Sequence, residues 1–320
     1  MTTTVVLYYT FAHLHICTFT HKVGGILMQS KLNLKRPLTI TVANAKGGVG
    51  KTTITRYLPY DLAERGYKVL VIDADPQANL TKSMGITKQQ HDPDNIFTID
   101  KSMMAAVRDG SFKGAVLEIV PNLYELPSQI DFRGFETFLS KKYGVAEKGD
   151  PEYLSVESKK VSLLKGLIEP IKADYDFVFI DTPPTAGQYV RNATFASDYV
   201  IIAFQTQSDS LDGAIQFISD DLTELVETFG ARTDVLGILP NQVSKSGAID
   251  QVVIKDAIAR FGQQNLFDHI IPFARRIQAA PRMGLSRQGY WNQKLFDDIV
   301  DPLTDDFLKR LKIVGEVTNG

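Results

Sequence analysis

Eight consecutive residues, Lys46-Gly47-Gly48-Val49-Gly50-Lys51-Thr52-Thr53, are the stretch of this 320-residue chain best suited to chemistry. Glycines at 47, 48 and 50 let the backbone curl until its N–H groups converge on one anion, and a helix opening right behind them adds the positive end of its dipole. Lys51 and Thr52 then stand where a nucleoside triphosphate needs them, the ammonium on the β and γ phosphates and the hydroxyl on Mg²⁺. The pattern is GxxxxGK[ST] with its strict first glycine missing and its core, GGVGKTT, intact. A tight strand-to-helix turn without a ligand would leave Lys51 and Thr52 unexplained.

Carboxylates follow at two strand ends. Val69-Leu70-Val71-Ile72 runs into Asp73-Ala74-Asp75-Pro76-Gln77-Ala78-Asn79. Alternation puts Asp73 and Asp75 on one side of the carboxyl end of a buried strand, where open α/β sheets bind ligands. Carboxylates there coordinate Mg²⁺ or orient a water, and phosphoryl transfer asks for little beyond such positioning and charge stabilisation. The competing reading is a plain Asp-Pro turn. Phe177-Val178-Phe179-Ile180 likewise ends in Asp181-Thr182-Pro183-Pro184; Asp181 would accept a water on Mg²⁺, or else cap the next helix.

These groups must be carried by alternating strands and helices. Short apolar runs near 38–43, 68–73, 122–126, 176–181, 198–204, 234–240 and 268–271 are the expected strands, separated by segments of helical period. The expected fold is α/β of the P-loop nucleotide-hydrolase kind, a doubly wound, mostly parallel sheet with helices on both faces. Ala248 to Phe261 illustrates a covering helix, with Ile249, Val252, Val253, Ala257, Ile258 and Phe261 on one face and Gly262 as C-cap. The polar stretch 141–158 reads as a surface insertion. A single domain is expected over 37–314, with an extension at 1–36 and a tail at 315–320.

The lysine that opens the loop adds a resemblance. KGGVGKTT resembles the deviant Walker A motif of the ParA/MinD superfamily, with Lys46 as the signature lysine. That resemblance implies a sandwich dimer in which Lys46 reaches the partner's ATP, so nucleotide binding and dimerisation become one event. DxDPQxN at 73–79 resembles the Walker A′ segment of ParA rather than the DxDxGL form of MinD, and implies that Asp75 positions the catalytic water with Asp73 in support at the metal. Asp181 looks like Walker B. Leu126-Pro127-Ser128, the run Ala196 to Gln205 and Ile271-Pro272 are similar to ParA segments as well, so the resemblance covers roughly residues 38 to 314. Asn241 and Pro272 are, by position, the expected base-side contacts. Two departures are Ala45, where relatives often carry Gln, and Pro59 inside the helix after the loop, where proline costs about 3 kcal/mol unless accommodated.

Formal charge −2 and a pI near 6.2 give no global attraction to nucleic acid. Between Asp268 and Asp297, however, no acid occurs, while Arg275, Arg276, Arg282, Arg287 and Lys294 do. This is an electrostatic footprint for phosphate, and Arg275, Arg276, Arg282 and Arg287 are the expected contacts to non-specific duplex DNA; the alternative is that they line the nucleotide or the dimer interface. The resemblance implies a ParB-like adaptor bound at a centromere-like site, segregation of a plasmid or chromosome, and a place on the nucleoid in the cytoplasm. The long ParA form carries a helix-turn-helix domain ahead of the ATPase; about 37 residues before the first strand are too few for one.

Rivals are weighed on specific residues. A MinD-like membrane protein needs a terminal amphipathic helix, for which Leu303, Phe307, Leu308 and Leu311 with Lys309, Arg310 and Lys312 are candidates, opposed by Asp305 and Asp306. An iron–sulfur reductase needs several thiolates, and Cys17 is the sole cysteine. A metabolic kinase would need a second substrate site, for which no motif is present. The first 27 residues have neither the basic region of a signal peptide nor the length of an apolar span, His13 and His15 lack a partner carboxylate for metal, and the working chain is expected to begin at Met28.

Overall fold

A computed structural model describes residues 31–184, 187–244 and 248–318. His13, His15, Cys17 and the expected start at Met28 lie outside the described residues. Ten strands occur among them: β1 Asn33–Leu34, β2 Leu38–Ala43, β3 Val69–Asp73, β4 Leu117–Val120, β5 Leu123–Leu126, β6 Phe177–Asp181, β7 Tyr199–Gln205, β8 Asp234–Val243, β9 Ile271–Pro272 and β10 Val317–Thr318. Eight of them form one sheet in the order β4-β5-β3-β6-β2-β7-β8-β9. Every neighbouring pair is parallel except β4 and β5. All residues of β2, β3 and β6 are buried, which is why β3 and β6 read as apolar runs up to their terminal aspartates; β2 alternates in sequence, with Thr39 and Thr41 buried as well.

Topology brings the chemistry to one edge. The chain passes from β2 to β3 on one side, returns through β6, and crosses β2 to reach β7 on the other. The carboxyl ends of β2, β3 and β6, at Ala43, Asp73 and Asp181, therefore open on a common crevice. Asp73 and Asp181 are paired in register.

The doubly wound α/β architecture is as expected, and all seven expected strands are present, the last reduced to Ile271–Pro272. Three details differ. β4 has no counterpart among the expected strands: it is a four-residue edge strand, Leu-Glu-Ile-Val, half of it buried, joined to β5 by a tight antiparallel turn through Asn122 at φ 68°. The helix Ala248–Phe261 buries Val253, Ile254 and Ala257, whereas Ile249 and Val252 of the expected face point outward, 72% and 56% exposed; its apolar stripe is wider than the surface it covers. Of 141–158, only 144–152 is irregular, since Lys141 to Tyr143 end one helix (Phe135–Tyr143) and Tyr153 opens another (Tyr153–Val161).

The ends of the domain also reach beyond 37–314. β1 pairs with β10, Lys35 N–H donates to Glu316 O at 3.0 Å, and Arg36 bridges Asp198 at 2.5 Å and Glu316 at 2.7 Å. The helix Asp301–Ile313 buries Leu303, Phe307, Leu308 and Leu311, with the Phe307 ring 5.6 Å from Phe177 and 5.8 Å from Phe179. Its apolar face is committed to the sheet. Among the described residues no helix is long and apolar enough to cross a membrane. The helix Lys51–Glu64 runs on through Pro59, which is buried among its neighbours.

Candidate functional site

β2 delivers the chain to Asn44, and that side chain anchors the glycine loop. Asn44 Nδ2 donates to Ala203 O at 2.7 Å and Ser210 O at 3.1 Å, while its Oδ1 accepts Lys46 N–H at 2.7 Å. Gly48 and Gly50 take φ of 79° and 92°, the left-handed region open to glycine. At Gly50 a second reason applies, because a Cβ there would collide with Asn241 Nδ2. Asn241 instead donates to Val49 O at 2.7 Å, and Gln205 and Gln242 each donate through Nε2 to Gly48 O at 3.0 Å. With these carbonyls drawn to protein donors, the helix begins at Lys51, its first N–H groups free of intrahelical partners.

Gly213, in the helix Ser208–Gln216, lies against the same loop. A Cβ there would sit 2.7 Å from Asn44 Oδ1 and 3.2 Å from Lys46 Cβ. No motif marks Asn44 or Gly213; only the fold reveals them. Lys51 Nζ is buried, 3.4 Å from Asn44 O and 3.3 Å from Lys46 O. Burial lowers its pKa, and Asp181 and Asp75 oppose that shift. Thr52 and Thr53 follow half-buried. Lys46 is exposed, with Nζ 3.4 Å from Asp209 Oδ2 in the helix Ser208–Gln216.

The three aspartates are not equivalent. Asp181 is fully buried, and among the described residues neither carboxylate oxygen has a hydrogen-bond partner of good geometry, the Thr52 hydroxyl being the donor that lies nearby. Burial pushes its pKa up to about 7, with Asp73 adding to the rise and Thr52 and Lys51 working against it. A dry carboxylate so poorly supplied with donors is costly, and a hydrated Mg²⁺ would satisfy it. Among the described residues no group of three or more His, Cys, Asp or Glu could hold a metal by itself. Two protein groups, Thr52 and Asp181, fit the few-ligand manner in which Mg²⁺ joins phosphates.

Asp73, expected at the metal, is turned to another purpose. It accepts Asp75 N–H at 3.1 Å, Thr81 N–H at 2.9 Å and the Thr81 hydroxyl at 2.8 Å. Burial raises its pKa to about 6 and these donors pull it back. Asp73 thus fixes the turn that presents Asp75. Asp75 itself is buried, accepts Gln77 N–H at 2.8 Å, and lies close enough to Lys51 to oppose the loss of its charge.

The profile of a family described as an AAA domain matches residues 38–229, more than half of the chain and all of this site up to β7. An uncharacterized protein of Methanocaldococcus jannaschii is 33% identical over 217 residues, 67% of this chain and 76% of that one. The chromosome partitioning protein ParA of Caulobacter vibrioides is 29% identical over 249 residues, 77% of this chain and 84% of that one. The chain belongs to the ParA family of P-loop ATPases. In fold it is similar to apo McdA of Cyanothece, with TM-score 0.67, 22% identity, and coverage of 87% of this chain and 99% of that one.

Within the ParA frame the remaining expected residues separate. Asn241, expected at the base, has both ends engaged, Nδ2 on Val49 O and Oδ1 on Gln242 N–H. It braces the loop. Pro272, the end of β9, lies beside Val243 of β8 and so near the same crevice edge. Arg275 and Arg282 are exposed on the helix Arg275–Met283, with no ion pair among the described residues, and Arg276 bonds Asn292 Oδ1 at 2.9 Å and lies 5.8 Å over the Trp291 ring. Arg287 does not join them. Its guanidinium pairs with Asp61, Glu64 and Asp301, the last at 2.6 Å, and stacks 4.3 Å over Phe296. Three carboxylates neutralise it, which removes it from the expected DNA-binding set.

Proposed function

We propose that this protein is a partition ATPase that dimerises on ATP, binds duplex DNA without base specificity and, with a ParB-like adaptor, segregates plasmid or chromosomal DNA on the nucleoid. The observation that carries the reading is Asp181, a buried carboxylate with no well-formed hydrogen bond among the described residues, beside Thr52 and Lys51 at the mouth of a glycine loop. Lys51 and the loop amides bind phosphate, Thr52 and Asp181 hold Mg²⁺, and Asp75 orients the attacking water. Bound Mg²⁺ would draw off charge developing on the phosphates. Lys46 is exposed and held only by a 3.4 Å surface pair with Asp209 among the described residues, which a partner's nucleotide can replace.

DNA contact is assigned to Arg275, Arg276 and Arg282. A dimer doubles that face, so affinity rises through valency without new contacts. The likeness to a chromosome partitioning protein supports this reading. A membrane-positioning role is disfavoured by the helix Asp301–Ile313, whose apolar residues are packed against the sheet. The test is binding to arbitrary duplex DNA and to anionic liposomes, each with ATP, ADP or no nucleotide, over a salt series. ATP-selective, salt-sensitive DNA binding without liposome uptake is the expected result; liposome binding alone would replace this reading with the membrane one.

A further inference from the structure

Behind the Asp75 turn lies a carboxyl group that nucleotide chemistry does not use. Glu125 of β5 is fully buried, and among the described residues neither Oε has a hydrogen-bond partner of good geometry. The register pairs Glu125 with Val71 of β3. Side chains alternate along a strand, so Asp73, two residues past Val71, projects to the same face, and the two acids are diagonal neighbours on adjacent strands. Thr81 links their surroundings. Its hydroxyl donates to Asp73 Oδ2 at 2.8 Å and accepts the N–H of Ser128, three residues beyond Glu125, at 3.0 Å. Ser128 Oγ is buried too, with no partner among the described residues.

Two carboxyls in one dry pocket cannot both ionise cheaply. Asp73 collects three donors that favour its anion, whereas among the described residues the donor close to Glu125 is the Thr81 hydroxyl, and that hydrogen is already given to Asp73. Glu125 therefore keeps the proton, and its burial and the nearby Asp73 charge both push its pKa well above the ordinary value. The turn it stands behind needs support, since Ala78 is held at φ 54°, an unfavourable conformation for a residue with a Cβ.

We propose that Glu125 is a positioning residue: a neutral carboxylic acid wedged behind Thr81 that keeps the Asp73–Thr81 clamp, and with it the turn carrying Asp75, in register with the phosphate loop. The inference rests on the ATPase reading for its kinetic consequence, and on the clamp alone for its structural one. The acceptor within range of the Glu125 proton is the second lone pair of the Thr81 hydroxyl, the first being taken by Ser128 N–H; Glu125→Leu removes that donor while keeping the volume roughly filled, and Glu125→Gln restores a donor without charge.

Two measurements on the full chain test it. Amide hydrogen exchange at Thr81, whose N–H is tied to Asp73, is expected to quicken at least tenfold in Glu125→Leu and to stay near the wild-type rate in Glu125→Gln. Mg²⁺-ATP turnover per nucleotide-binding site is expected to fall roughly ten- to a hundredfold in Glu125→Leu, as for a misplaced catalytic group, with KM for ATP unchanged and Glu125→Gln close to wild type. Unchanged Thr81 exchange in Glu125→Leu, or equal impairment in both variants, overturns the inference. Absent turnover in the wild type overturns the ATPase reading and leaves the exchange test of Glu125 standing.

Discussion

Asn241 Nδ2 lies 2.7 Å from the carbonyl oxygen of Val49, so a residue of β8 braces the phosphate loop across 192 positions of chain. Removing the amide leaves that carbonyl without its donor and frees the crowded Gly50 backbone. Asn241→Ala is expected to weaken ATP binding by about 1–3 kcal/mol, roughly ten- to a hundredfold in Kd. A brace acts on the phosphates and is blind to the base, so ATP and GTP should lose affinity equally. A loss confined to ATP in paired titrations would return Asn241 to the base-side position that the sequence suggests.

The arginines at 275, 276 and 287 should part company under substitution. Arg275→Ala with Arg276→Ala is expected to weaken DNA binding and reduce the slope of log affinity against log salt by about 1–2, with ATP affinity unchanged. Arg287→Ala should leave the salt slope alone and destabilise the fold by about 1–3 kcal/mol, because Asp61, fully buried, loses one of its two arginine partners. The figure is reduced for the partial exposure of Arg287. DNA titrations and chemical denaturation of both variants check the division; a changed salt slope in Arg287→Ala would put it back on the DNA face.

This contrast marks what the sequence makes legible. Lys51, Thr52 and Asp181 can be read because the loop is contiguous and the aspartate ends a fully buried strand. The sheet can be read because parallel strands covered on both faces are predominantly apolar, Thr39 and Thr41 of β2 and Glu125 of β5 being buried exceptions. Arg287 cannot be separated from Arg276, since both stand in one acid-free run and the three acids that neutralise Arg287 come from elsewhere in the fold. Asn44 and Gly213 are equally invisible: one is defined by bonds to Ala203 and Ser210, the other by the space it leaves beside Lys46. Asp73 stands at the strand end where the sequence puts it, but its partner Thr81 comes from the next helix, and that pairing decides its role.

Asp75 sits on a turn fixed by Asp73, and its hydrogen bonds among the described residues stay within that turn rather than reaching the phosphate loop. Asp75→Ala is therefore expected to bind ATP within about threefold of wild type while turnover falls by roughly a thousandfold, the range for losing a group that positions and activates water. The stalled nucleotide should hold the dimer, raising the fraction of dimer seen by size-exclusion chromatography with light scattering. Hydrolysis at the wild-type rate would remove Asp75 from the chemistry.

Asp181 makes metal binding depend on pH with a definite sign. Burial holds its pKa at about 7, against an ordinary 3.8. Because the folded value is raised, protonation favours the metal-free fold: this group's contribution is present below the unfolded pKa and is lost as pH climbs through about 7. Mg²⁺ works in the opposite sense, since it binds the ionised carboxylate and must displace the proton. Below pH 7, Mg²⁺ affinity of the ATP-loaded protein is expected to fall by about tenfold per pH unit, levelling off above. Asp181→Asn should bind Mg²⁺ weakly at every pH and should be more stable than wild type in metal-free denaturation at pH 8, because it removes a buried charge that Thr52 and Lys51 compensate only in part. Mg²⁺ titrations between pH 5.5 and 8.5 test the slope, and a pH-independent wild type would mean that Asp181 is not the group that meets the metal.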